Sequence, residues 1–419
     1  MKKIISIVLI LLLTFNFVFA APNLNIYSPA AILIDANTGN ILYEKNANQR
    51  MYPASTTKVL TALITLEHIN DLSKEITISR HAVNSVPVGS SIAGYRAGEI
   101  VTIEQVLNTL LICSANDGAN ILAEQVSGST EDFAILMNQT AKGLGANNSN
   151  FVNAHGFHNP NHYSTAHDLA LIARHAMKNE KFREIVRKID YTIEPTNKVE
   201  EPRYFLNTNR LLRKGEYHMD EVQGIKTGYT SQAGNCLISY ATKDGVDVIA
   251  VVLGGKVMPN QKSEVYEDST TLLTYGLNNY SKQTILSKGN TVQEVIPAKS
   301  GKQTLQLISE NDITAIVQKG STPNFETIID IEKEIEAPIE AGQKLGKITY
   351  KSNNIIIGET NLIAANKVKK QNILLVILGW ILKIILIFIG LIIFLIFFNY
   401  FRIKCYYRKK RTQKRDWEN

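Results

Sequence analysis

The alternation of apolar and polar positions changes character several times along the chain. Residues 30–48, "AAILIDANTGNILYEKNAN", read as strand, turn and strand, with Asn37-Thr38-Gly39 supplying the turn. Helical spacing follows in "TTKVLTALITLEHIN", in "TIEQVLNTLLICSANDGANILAEQV" and in "STAHDLALIARHAM". "GNCLISYATKDGVDVIAVVLGG" then gives two apolar strands around a Lys243-Asp244-Gly245 turn, and "TTLLTYGLNNY" predicts a closing helix. Strands at both ends of this region with helices between them predict one antiparallel sheet flanked by helices, a catalytic-sized α/β domain over residues 21–280. Beyond it the pattern shortens. Alternating runs separated by Gly, Asn, Ser and Pro predict a small all-β domain over 281–368, which carries neither Cys nor His and receives no chemistry.

Both chain ends are apolar, in different ways. "MKKIISIVLILLLTFNFVFA" has two lysines, a short apolar core and small residues near Ala20, the pattern of a cleaved signal peptide over residues 1–20 rather than a retained anchor. Residues 373–401, "ILLVILGWILKIILIFIGLIIFLIFFNYF", are long enough to cross the ~30 Å hydrocarbon core as a transmembrane helix. The tail 402–419 has eight Lys/Arg, which predicts a cytoplasmic C-terminus and an extracytoplasmic bulk at a bacterial cell membrane. Lys383 interrupts the apolar run, so the span starts either at Ile373 or just after this lysine.

Charge then reads as topology. Most of the net +7 lies in the tail and leader, which leaves the exported part slightly acidic and without a basic, aromatic-interleaved stripe for nucleic acid. Of three cysteines, only Cys113 and Cys236 share the exported side. That is too few for a disulfide framework, and buried free thiols are expected.

The candidate chemistry begins at "PASTTKVLTA". Ser55 and Lys58 stand three apart, one helical turn from each other, either as part of a capped helix start or as a nucleophile and its base. Ser114-Ala115-Asn116 and Lys226-Thr227-Gly228 follow. Serine hydroxyls attack only when a neighbour takes the proton, and a lysine does so only when neutral. Burial, a second cation and a helix N-terminus all favour the neutral amine, and Lys226 is the candidate cation. Ser114 suits proton transfer to a leaving amine, and Asn116 suits holding Lys58 and a substrate amide. Lys226-Thr227-Gly228 is expected to open a strand running into "CLISYAT", whose edge pairs with an extended peptide as Gly228 allows close approach. The N–H groups of Ser55 and Tyr229 would form an oxyanion hole. S-x-x-K, S-x-N and K-T-G in this order are the motif set of serine β-lactamases and penicillin-binding proteins.

The chain resembles the low-molecular-mass penicillin-binding proteins that act as serine-type D-alanyl-D-alanine carboxypeptidases. The likeness runs from about Ile32 to Ala365 through "IDANTGNILYEKNA", "PASTTKVLTA", "SANDGANILAEQVSGS", "MNQTAKGLGA", "FVNAHGFHNPNHYSTAHDLALIA", "GIKTGYTSQAGNCL" and "APIEAGQKLG". It implies a catalytic domain of the serine β-lactamase/transpeptidase-like type and a β-rich second domain. It also implies removal of the terminal D-alanine of peptidoglycan stem pentapeptides through an acyl-enzyme at Ser55, acylation of that serine by β-lactams, and no metal or organic cofactor. Members usually carry an arginine soon after the Gly-Gly that ends the sheet strand, where it helps hold the substrate carboxylate with the Thr227 position. Here "GGKVMPNQKSEVYED" has Lys256 and Lys262 instead.

Other patterns are set aside. "EQVLN", Glu104 to Asn108, matches the deacylating Glu-x-x-Leu-Asn of class A β-lactamases but precedes Ser114, and reads as coincidence. His155, His158, His162 and His167 lack zinc-ligand spacing and read as a polar loop, and His167-Asp168 cannot complete a triad as neighbours. The remaining alternatives are a D,D-endopeptidase or β-lactamase on the same fold, or a penicillin sensor that does not turn over.

Overall fold

The computed structural model describes residues 24–415 apart from Pro323 and Asn353. The expected signal peptide and the last residues of the tail lie outside the described residues. The chain divides into two compact units. One runs to Ile285 and includes Ile313–Ile328 and Thr349–Glu359; the other comprises Leu286–Asp312, Ile329–Ile348 and the chain from Thr360 on.

The first unit is built on an antiparallel sheet of β1 (Ala30–Asp35), β2 (Ile41–Lys45), β3 (Val222–Thr230), β4 (Gly234–Lys243) and β5 (Val246–Gly255), in the order β2-β1-β5-β4-β3. The N-terminal hairpin and the late strands close on each other, with Ile32 opposite Val251 and Leu237 opposite Val252. Lys243-Asp244-Gly245 makes the expected tight turn, Asp244 and Gly245 both having positive φ.

Strand periodicity sorts the core into two layers. Ala30, Ile32, Ile34, Ile249, Val251 and Leu253 face helices α1 (Lys58–His68), α2 (Ile103–Ile112), α3 (Asn116–Ser127), α4 (Thr130–Gly143) and α5 (Ala166–Ala176). Ala31, Leu33, Val248, Ala250 and Val252 point the other way, onto Val265, Leu272, Leu273 and Leu277 of α6 (Glu264–Asn279). Because both faces are covered, β1 and β5 read as continuous apolar runs rather than alternating ones.

Two expectations need correction. The helical spacing across 102–126 is not one helix. It breaks at Cys113–Ala115, between α2 and α3, where Ser114 has φ +66°. Lys226–Gly228 does not run into "CLISYAT" either; it lies in β3, which pairs antiparallel with β4 through a turn at residues 231–233. Helix α4, which begins at a Ser129 cap, was not foreseen from the sequence pattern.

The C-terminal region is β-rich, as expected. β6 (Thr291–Val295), β7 (Leu305–Ser309), β8 (Glu326–Ile331), β9 (Lys344–Ser352) and β10 (Ile355–Ala364) form a sheet in the order β6-β7-β10-β9-β8. Helix α7 spans Ile373–Arg415, continuing past Phe401 into the basic tail. It is long and apolar enough to cross a membrane, and its most apolar stretch is fully exposed.

Candidate active site

Ser55 sits in a short 3-10 helix, Ala54–Thr57, that runs into α1. Neither start carries a side-chain cap, so the capping reading of "PASTTK" does not hold. Ala54 has φ +48°, and Gly156 packs so closely against it that a Cβ there would lie 1.8 Å from the Ala54 carbonyl oxygen. Gly228 of β3 approaches from another side, where a Cβ would lie 2.9 Å from the Ser55 nitrogen. Backbone from two distant segments thus converges on the serine's own turn, and glycines make the approach possible.

Six of the eight expected residues, Ser55, Ser114, Asn116, Thr227, Gly228 and Tyr229, line one cleft of about 580 Å³. The two lysines lie buried behind it, Lys58 at 0% and Lys226 at 1% exposure. Lys58 Nζ stands 3.0 Å from Ser55 Oγ, 2.6 Å from Asn116 Oδ1 and 2.8 Å from the His155 carbonyl oxygen. The last two atoms can only accept, so a neutral amine directs both of its N–H groups to them. Its lone pair then points at Ser55 Oγ. Burial holds the Lys58 pKa well below the ordinary lysine value, and the Lys226 cation lowers it further. Burial also brings Lys226 down to about 7; its Nζ donates to the Thr227 carbonyl at 3.0 Å.

The α2–α3 break positions the second motif. The Thr109 carbonyl accepts from the N–H groups of both Cys113 and Ala115, which turns Ser114 into the cleft. Asn116 N–H donates to the Ser91 carbonyl at 2.8 Å. Asp117, absent from the sequence reading, accepts from the N–H groups of Ala93, Gly94 and Tyr95 and so ties the loop behind Ser91 to the start of α3. No local pattern marks Asp117, because its partners lie more than 20 residues away.

The histidine-rich stretch is a loop with an exposed polar tip at Asn159–Asn161, as expected, but two of its histidines pack inward against the site. His155 and His162 are buried, and burial pushes both down to about 3, so both are neutral. His162 Nδ1 accepts from Val152 N–H at 3.1 Å, which leaves Nε2 to donate to Thr57 Oγ1 at 2.9 Å. Among the described residues no group of His, Cys, Asp or Glu is arranged to hold a metal. His167 pairs loosely with Asp168, whose carboxylate serves Asn148 N–H and Ser149. Glu104 is bound to Lys181 at 2.5 Å, at the end of α2 opposite Ser114. Cys113 and Cys236 are free thiols, donating to the carbonyls of Thr109 and Tyr52. Thr208 is a further residue missed from sequence; it lines the cleft and shares a 2.6 Å hydroxyl contact with Thr227.

The chain has known relatives. Residues 17–257 match the peptidase S11 family, described as D-alanyl-D-alanine carboxypeptidase. The chain belongs to that family. Residues 280–370 match the C-terminal domain of penicillin-binding protein 5. The chain is 33% identical to D-alanyl-D-alanine carboxypeptidase DacF of Bacillus subtilis, covering 81% of this chain and 86% of that one. It is 30% identical to DacA of Haemophilus influenzae, covering 82% and 85%. The solved structure of penicillin-binding protein 5 from Haemophilus influenzae superposes with TM-score 0.64 at 29% identity, covering 83% of this chain and 99% of that one. That of penicillin-binding protein 3 from Streptococcus pneumoniae, titled a peptidoglycan synthesis regulatory factor, gives TM-score 0.70 at 26% identity, covering 83% and 100%. The carboxypeptidase is therefore a serine-type enzyme with a penicillin-binding protein 5-like second domain.

Proposed function

We propose that this carboxypeptidase removes the terminal D-alanine of peptidoglycan stem pentapeptides through an ester on Ser55. The observation that carries the assignment is the bonding of Lys58, two acceptors fixing its N–H groups and the third direction meeting Ser55 Oγ. Ser55 Oγ attacks the penultimate D-alanine carbonyl as its proton passes to Lys58 Nζ. Negative charge on the former carbonyl oxygen is met by the N–H groups of Ser55 and Tyr229. The C–N bond then breaks and D-alanine leaves with a proton relayed from Lys58 through Ser114. Water, deprotonated by the same amine, hydrolyses the ester and regenerates Ser55. Asn116 holds Lys58 and the substrate amide, Lys226 keeps Lys58 unprotonated, and Thr227 receives the substrate carboxylate. Gly228 admits the peptide alongside β3. Penicillins acylate Ser55 in the same way.

Helix α7 anchors the enzyme in the bacterial cell membrane. An exposed apolar helix of this length has no stable place in water, and its basic end favours the cytoplasmic side. The catalytic unit then faces the wall. The test is D-alanine release from a stem pentapeptide by the detergent-solubilised chain beside its Ser55→Ala variant. Release by the unsubstituted chain alone is expected. Equal release by both would remove Ser55 from the reaction, and release by neither would refute the activity on this substrate.

A further inference from the structure

A carboxypeptidase must distinguish a free carboxylate from a peptide bond that continues, and this depends on what faces the far end of the cleft. Among the described residues, those lining the cleft include no exposed cation. The lining includes Thr227, Thr208, Val265 and Tyr266, and Thr208 touches both Thr227 and Tyr266. Val265 offers only methyl groups. Of the two lysines after Gly254-Gly255, Lys262 is held by Glu267 at 3.1 Å and faces Glu216 at 3.8 Å, and neither it nor Lys256 lines the cleft.

The hydroxyls of Thr208 and Thr227 are 2.6 Å apart. In such a pair without a ligand, one O–H donates to the other oxygen and the second is left over; an incoming group with two acceptor oxygens can take both O–H groups in place of the mutual bond. A carboxylate is acceptor only, so it suits these donors. The backbone of Thr208 is fixed by its N–H donating to the Ile112 carbonyl and by Tyr266 Oη donating to its own carbonyl at 3.2 Å. Two residues on, the Arg210 guanidinium lies over the stacked rings of Tyr217 and Tyr266, 4.4 and 5.6 Å from their centroids. Its ion pair with Glu216 is long, at 3.6 Å, and its side chain is about half exposed. It is thus a cation mounted on a cleft-lining tyrosine.

We propose that Thr208 is a substrate-binding residue: with Thr227 it forms a paired-hydroxyl clamp for the substrate's terminal carboxylate, and Arg210 supplies the positive field that the clamp lacks. The proposal rests on the peptide lying in this cleft with its C-terminus toward Thr227, as in the function proposed above. Thr208 contacts the carboxylate directly, whereas Arg210 acts on it through space.

The test separates recognition from turnover. Binding of a D-Ala-D-Ala-terminated stem pentapeptide and of its C-terminal amide is measured by calorimetry on the full-length Ser55→Ala chain in detergent, alone and combined with Thr208→Val, Thr208→Ser, Arg210→Gln or Lys256→Gln. The acid should bind more tightly than the amide. Thr208→Val should weaken acid binding roughly tenfold or more while leaving the amide unchanged, and Thr208→Ser should restore it. Arg210→Gln should weaken the acid by about threefold, a difference that fades at high salt. Lys256→Gln should change nothing. In the active chain the same substitutions should raise KM for the pentapeptide with little change in kcat. Equal losses for acid and amide, an unchanged acid affinity in Thr208→Val, or a carboxylate preference carried by Lys256 would overturn the proposal. If the acid preference and its loss in Thr208→Val appear while the active chain releases no D-alanine, the clamp stands and the reaction assignment fails.

Discussion

Thr102 and Ser55 both stand just ahead of an apolar helix, and their hydroxyls do opposite things. Thr102 Oγ1 accepts from Gln105 N–H while the Gln105 side chain accepts from Thr102 N–H, a reciprocal capping box. Ser129 and Thr165 also cap their helices, each accepting from the N–H three residues on, without the reciprocal bond. Ser55 caps nothing, and its oxygen faces a buried lysine amine. One hydroxyl is committed to the fold by its own backbone. The other is left uncommitted to the helix start because a 3-10 turn replaces the capped start and distant backbone fixes its position.

The contrast predicts opposite phenotypes. Ser55→Ala should lower D-alanine release about 10⁴-fold or more while leaving the thermal midpoint unchanged. A large loss of stability would mean that the serine is structural after all. The support around it is less forgiving. Gly156→Ala places a Cβ against the Ala54 carbonyl at a positive φ, and should cost about 3 kcal/mol or more of stability in denaturant unfolding and slow acylation by a labelled penicillin. Wild-type values for both would show that the contact with Ala54 is not tight.

The histidines behind the site should also impose an acid limit. His155 and His162 have native pKa values of about 3, so below pH 6.5 the unfolded chain binds protons that the native chain does not. The contribution of these two imidazoles should therefore be intact above pH 6.5 and be lost as pH drops toward 3, by about 2 kcal/mol per imidazole on going from pH 6.5 to 5. Replacing His162 with Gln should flatten that slope in thermal melts taken across the same range. An unchanged slope would exclude these rings as its source. Thr102→Ala is the mildest case, with a loss of about 1 kcal/mol in stability and an unaltered kcat/KM. A change in activity there would erase the distinction between the two helix starts.

What the chain discloses in advance follows the range of the interactions involved. The sheet was legible because β1, β4 and β5 owe their apolar runs to burial on both faces. The three motifs were legible because each is compact in sequence. The break at Ser114 was not, since helical spacing continues unbroken from Leu110 to Ile121 and the interruption depends on the Thr109 carbonyl and a loop brought in by tertiary folding. The histidines carried a polar composition, and their burial comes from Thr57 and Lys58, about a hundred residues earlier. Thr208 bears no local mark at all, because what distinguishes it is a hydroxyl in β3.

The junction before α7 sets one more property. Val368 is buried and paired with Ile339, and α7 begins at Ile373, so only Lys369–Asn372 lies between them. Four residues reach at most about 14 Å. Anchored as proposed, the enzyme searches an area instead of a volume, and its encounter rate scales with copies per unit of membrane. Stem peptides carried away from the membrane would then leave the reach of this enzyme with their terminal D-alanines in place.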